Sequence, residues 1–158
     1  MINKIVAIQG NHPSKLNPLT DTSIFLANEI QKRKYKIFYY NPKNLSIINS
    51  KILAKGFFIE FNYNKKKFFK ILKKQTLDLA KCKFILIRQD PPFNLQYITT
   101  TYILDVLKNK VEIINDPTSI RIFDLIFLPP ENKPYCIGII NSDFFCFFIN
   151  FFKKMFVS

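Results

Sequence analysis

The chain has 158 residues, 48% hydrophobic and 22% charged, with a formal net charge of +13. That length gives one domain with a real core and leaves little room for a second. The basic excess admits a nucleic-acid or anionic-membrane partner, but the chain is dominated by Phe, Ile, Asn, Lys and Tyr, with three Gly, one His and no Trp, a bias AT-rich codons produce unaided.

Lys4 to Gln9 reads as a first buried strand, and Gly10 to Leu19 as a polar loop holding Pro13 and Pro18. Met1 to Gly10 carries only the short apolar run Ile5 to Ile8, with no signal-peptide hydrophobic region. Thr20 or Asp21 is placed to cap a helix in which Ile24, Ala27 and Ile30 recur at helical spacing through Lys34. Lys36 to Tyr40 predicts a second strand, closed by Asn41-Pro42, and Leu45 to Ile48 with Ile52 to Phe61 a strand pair or hairpin. Lys65-Lys66-Lys67, Lys70, Lys73 and Lys74 interleave with Phe68, Phe69, Ile71 and Leu72. That mixture suits an amphipathic helix with its aromatics turned to the core. No nucleic-acid motif accompanies the lysines, so a nucleic-acid partner is not expected.

Phe84 to Arg88 is the next core strand, its four apolar residues lacking the alternation of a half-exposed strand. Pro91 has no N–H to give a ladder, so the strand stops before it, and Asp90 is biased towards an extended conformation. The stretch Arg88-Gln89-Asp90-Pro91-Pro92-Phe93 is therefore a stiff loop projecting charge from the carboxyl end of a strand, where open α/β sheets bind ligands. Leu95 to Lys108 follows as a helix with Ile103, Val106 and Leu107 on one face, then Val111 to Ile114 as a strand ending in Asn115-Asp116-Pro117. Strands alternating with helices imply a mostly parallel α/β sheet covered on both faces.

The composition changes after Arg121. Residues 122–158 hold nine of the 18 phenylalanines and balance their charges, so the whole +13 lies in residues 1–121. Ile137 to Phe152 is apolar, but Asn141, Asp143 and Asn150 interrupt it and it falls short of the ~20 residues of a spanning helix, so membrane insertion is not expected. Cys82, Cys136 and Cys146 form no C-x-x-C pair, which fits a reducing, cytoplasmic setting without a disulfide framework or zinc site. His12 is the only histidine, so any Ser-His-Asp or Cys-His arrangement would have to use it, beside Pro13 in a loop.

Three stretches together resemble the amino-terminal domain of prokaryotic glutathione synthetase. They are Asp21-Thr22-Ser23-Ile24-Phe25-Leu26 running through Glu29-Ile30-Gln31-Lys32-Arg33 to Tyr39-Tyr40, Arg88-Gln89-Asp90-Pro91-Pro92-Phe93 with Tyr97 to Leu104, and Asn115-Asp116-Pro117-Thr118-Ser119-Ile120-Arg121. The resemblance implies a Rossmann-like, pre-ATP-grasp domain of an enzyme that joins glycine to γ-glutamylcysteine with ATP and Mg2+, through an acyl phosphate. It implies that Arg88 and Asp90 lie near the peptide substrate, with Asp21, Thr22 and Ser23 close to the same cleft. Arg88 suits a substrate carboxylate, and Asp90 suits an ammonium or the ordering of Arg88. The plainer alternative has Asp90 capping the next helix and Arg88 closing an internal ion pair. Self-association of the family implies a homo-oligomer.

The likeness stops after Arg121, where Ile122-Phe123-Asp124-Leu125 replaces the family's Asn-x-x-Glu-Lys-type helix. No nucleotide-cradling glycine loop and no magnesium-binding carboxylate cluster follows. The expectation is thus a domain at 1–121 and a non-family hydrophobic tail at 122–158, as a frameshift would produce, irregular or helical. No catalytic, nucleotide-binding or metal-binding residue is assigned to this chain, which is expected to be inactive alone. The rival readings are a non-catalytic γ-glutamylcysteine-binding module and a basic nucleic-acid-binding protein.

Overall fold

The computed structural model describes residues 4–62, 67–89 and 94–126. Its centre is a six-stranded mixed sheet. The strands are β1 (Ile5–Gly10), β2 (Lys36–Ile48), β3 (Lys51–Phe61), β4 (Phe69–Asp78), β5 (Phe84–Arg88) and β6 (Glu112–Ile114). They lie in the order β4-β3-β2-β1-β5-β6, with β2, β1, β5 and β6 parallel and β2-β3-β4 antiparallel. The fold is α/β, as expected, with an antiparallel lobe added to its parallel half.

The helices are α1 (Thr22–Lys32) between β1 and β2, α2 (Leu95–Asp105) between β5 and β6, and α3 (Pro117–Ile126) after β6. One face of the sheet gives Ala7, Phe38, Tyr40, Ile85 and Ile87 to a core shared with Leu104, Leu107 and Val111, against which Ile120 of α3 packs. Side chains alternate along a strand, so Phe84, Leu86 and Arg88 point to the other face. Arg88 meets α1 there. Helices therefore cover both faces, which is why β1 and β5 read as unbroken apolar runs.

Local chemistry sets the element ends. Asp21, not Thr20, caps α1 by accepting a hydrogen bond from the Ser23 N–H at 2.8 Å. The helix closes in a Schellman arrangement, Tyr35 N–H to the Ile30 carbonyl and Lys34 N–H to the Gln31 carbonyl, with Lys34 at φ 62° where glycine is usual. Asn49 and Ser50, both with positive φ, form the two-residue turn of the β2–β3 hairpin.

Three expectations need correction. The lysine-rich segment is a strand in its described part, not a helix: β4 pairs along β3 from Phe61↔Phe69 to Leu53↔Asp78. Phe68, Phe69, Ile71 and Leu72 satisfy helical spacing, but the period-2 pattern of Phe69 and Ile71 prevails and is broken only by a register shift that leaves Leu72 49% exposed. The second strand does not close at Asn41-Pro42. It continues to Ile48 past an irregularity in which residues 41–44 face the single Lys55, so Pro42 need give no ladder bond. Finally, α2 ends at Asp105, and the turn that follows buries Leu107 while leaving Val106 63% exposed. The tail expected at 122–158 lies outside the described residues from 127 onward. Among the described residues no helix is long and apolar enough to cross a membrane.

Candidate functional site

The crossover from β1 runs through α1 to β2 on one side, and that from β5 runs through α2 to β6 on the other. β1 and β5 are adjacent, so the chain leaves their carboxyl ends in opposite directions and a crevice opens between them. The register pairs Gly10 with Arg88 at its lip. Gly10 is needed at this point, because a Cβ there would sit 2.6 Å from the Tyr39 hydroxyl and 3.1 Å from the Arg88 carbonyl.

Arg88 is half-buried and crosses to the start of α1. Its Nε donates to Ser23 Oγ at 3.1 Å and its Nη2 to Thr22 Oγ1 at 2.6 Å. These acceptors are neutral hydroxyls, and among the described residues no carboxylate pairs with the guanidinium. A cation beside a helix amino terminus adds to the positive end of the helix dipole. The capping Asp21 offsets part of that charge, and the rest favours an anionic ligand.

The sheet end is braced from both sides. Gln9 is fully buried and donates through Nε2 to Gln89 Oε1 at 3.2 Å, and its own Oε1 has no hydrogen-bond partner among the described residues. Tyr39 donates its hydroxyl to the Asn11 carbonyl at 2.7 Å, tying down the loop after β1. Asn115, at φ 62°, donates through Nδ2 to the Ile87 carbonyl at 2.7 Å, one residue before Arg88.

Four of the five residues expected near the substrate are thus placed. Arg88, Thr22 and Ser23 are in contact, and Asp21 organises the helix start on which two of them sit. Asp90 lies outside the described residues. The cap of α2 is Asn94, whose side chain accepts from the Tyr97 N–H at 3.0 Å, so the alternative role of Asp90 as that cap is corrected. Gln9 and Asn115 were not singled out as organisers of the site. The one sequence signal for Gln9 is an amide closing an otherwise apolar strand, where burial demands a polar partner.

The third family stretch organises a different place. Asp116 accepts from the Ser119 N–H at 2.8 Å and so caps α3. Lys108 reaches Asp105 at 2.9 Å and Asp116 at 2.7 Å, while Arg121 bonds Asp105 and lies 4.1 Å over the Tyr102 ring. Burial by itself would raise both carboxyls. Hydrogen bonds from Lys108 and Arg121 to Asp105, and from Lys108 and Ser119 to Asp116, outweigh it and hold both below the ordinary carboxylate value.

Among the described residues no three His, Cys, Asp or Glu side chains converge on a point that could hold a metal ion. Nor do the described residues form a glycine-rich loop that would cradle a nucleotide's phosphates, since the two described glycines, Gly10 and Gly56, are pressed against Tyr39 inside the sheet.

The model of the prokaryotic glutathione synthetase N-terminal domain matches residues 5–121. The chain is 35% identical to the glutathione synthetase of Mesorhizobium japonicum over 116 residues, which is 73% of this chain and 37% of that protein. It is 36% identical to the glutathione synthetase of Agrobacterium fabrum, over 75% of this chain and 37% of that protein. With that of Wigglesworthia glossinidia brevipalpis it shares 37% identity over 64% of this chain and 32% of that protein. The chain spans about a third of the length of these curated relatives. It belongs to the prokaryotic glutathione synthetase family, through that family's N-terminal domain.

Proposed function

We propose that this domain forms the peptide-substrate wall of a glutathione synthetase, which ligates glycine to γ-glutamylcysteine at the expense of ATP in the cytoplasm. The observation that carries the reading is the guanidinium of Arg88, held at the switch point by two hydroxyls and by no carboxylate among the described residues. An arginine oriented through Nε and one edge of Nη2 keeps further N–H groups for a planar anion. A carboxylate of γ-glutamylcysteine is such a group. Thr22 and Ser23 fix the orientation of the guanidinium, Asp21 orders the helix start beneath them, and Asp90 takes the substrate ammonium.

ATP and Mg2+ belong, in this proposal, to the part of the family polypeptide beyond the match, because the described residues offer neither a glycine-rich phosphate loop nor a cluster of metal-binding side chains. The domain then binds peptide and does not form the amide bond by itself. A non-catalytic γ-glutamylcysteine-binding module rests on the same site and differs only in never being joined by the remainder.

Calorimetry of the 158-residue protein with γ-glutamylcysteine is expected to show saturable heat. Incubation with γ-glutamylcysteine, glycine, ATP and Mg2+ is expected to yield no glutathione until the remaining two-thirds of a relative is supplied as a second chain. Absence of binding would overturn the substrate wall, and glutathione from the 158-residue protein alone would overturn the division of labour.

A further inference from the structure

We propose a second binding site in this domain, for a small multivalent oxyanion, in the cleft beside the irregular stretch of β2. The inference does not rest on the proposed peptide site, although Gly10 borders both clefts. The cleft has a volume of about 420 Å³ and is walled by Lys55, Lys74, His12, Tyr39, Phe57 and Thr76. The register places Lys55 opposite Thr76 and Phe57 opposite Lys74. Lys55 and Lys74 are therefore diagonal neighbours on one face, roughly 7–8 Å apart at the backbone, and their flexible stems let both ammonium groups reach one anion. Among the described residues no carboxylate lines the cleft and neither lysine joins an ion pair.

The floor is rigid. Tyr39 stacks on Phe57 with ring centroids 6.0 Å apart and planes 12° apart. His12 comes over from the loop after β1 and rests its ring 5.9 Å from Phe57 and 6.2 Å from Phe69. Two of the chain's three glycines border the same cleft, and a Cβ on Gly56 would fall 2.3 Å from the Tyr39 carbonyl. Charged residues on an edge strand ordinarily serve to prevent edge-to-edge pairing, and the lysines of β4 need no further explanation on that ground. Lys55 does, because β3 lies between β2 and β4 and has no free edge. The size of the cleft admits a phosphate ester, pyrophosphate or a tricarboxylate, not a polynucleotide.

His12 is the only histidine, so its imidazole resonances report on this cleft without competition. The full chain is titrated with inorganic pyrophosphate and, separately, with citrate while those resonances are followed. Saturable shifts are expected with at least one of them, and the tighter of the two identifies the source as a phosphate or a polycarboxylate. Lys55→Gln with Lys74→Gln should weaken binding by roughly tenfold or more, Lys55→Gln alone by less, and Lys70→Gln with Lys73→Gln should leave it unchanged. Arg88→Gln should also leave it unchanged, which separates failure of the peptide site from failure of this one. Shifts that rise linearly with both anions, or fall equally in the Lys70/Lys73 pair, would overturn the proposal.

Discussion

Two arginines, at the mouth of β5 and on α3, fall in two of the stretches that carry the family likeness, yet their surroundings differ in kind. Arg121 meets the carboxylate of Asp105, which Lys108 also reaches, and lies over Tyr102 at the junction of α2 and α3. Arg88 meets only hydroxyls among the described residues. A guanidinium already matched to a carboxylate holds the fold together. One held in place by neutral acceptors keeps its charge uncompensated and available. Residue type alone therefore does not distinguish the two arginines, and the charge of the partner does.

Substitution at each arginine should separate binding from stability. Arg88→Gln is expected to weaken γ-glutamylcysteine binding by about 100-fold, as loss of one partner of a buried charge pair does, while changing stability by less than about 1 kcal/mol. Calorimetry with a parallel thermal melt checks both. A large drop in melting temperature with affinity intact would show that Arg88 is structural and would break the comparison.

Arg121→Met should do the opposite. It strips the partly buried Asp105 of one charged partner, at a cost on the order of 2 kcal/mol, which lowers the melting temperature by roughly 6–8 °C in a domain of this size. The remaining folded protein should bind the peptide with unchanged affinity. Denaturant titration at neutral pH measures the first quantity and calorimetry the second.

The parallel half was legible in the sequence because burial on both faces leaves unbroken apolar runs, and Phe84 to Arg88 was expected with its observed bounds. In the antiparallel lobe the β2–β3 hairpin was legible too, but β4 was not, because it is an edge strand. Its Lys70, Leu72, Lys73 and Lys74 are exposed, and a register shift beside Ile59 breaks its alternation, so no single period survives. The continuation of β2 was hidden by Pro42, which reads as a terminator unless the opposing strand is known to bulge past it. At the site, the contact of Arg88 with Thr22 and Ser23 joins positions more than sixty residues apart. Only the resemblance brought them together beforehand. The amide of Gln9 signals a polar partner, but which one was not legible, because Gln89 lies on another strand's exit.

The smallest expected difference between the two regions is in their response to acid. Asp105 and Asp116 have folded-state values below the ordinary 3.8, so the stability they contribute is complete above that value. It is lost as pH falls below it and through the lowered ones. Glu29, held low first by the hydrogen bond from Lys32 and then by Arg33, adds a loss of the same sign from below 4.5. Around Arg88 the hydroxyl acceptors do not titrate in that range. Arg88→Gln should accordingly keep the acid limb of the stability curve, and Arg121→Met should flatten it, because Asp105 then gains less from being ionised. Glu29→Gln removes the α1 contribution and isolates the α2–α3 junction. Melting temperatures between pH 3 and pH 6 for the three variants decide the matter. An unchanged acid slope in Arg121→Met would mean that Lys108 alone holds Asp105 ionised. The cost of that substitution would then come from the lost contact with Tyr102 rather than from the charge pair.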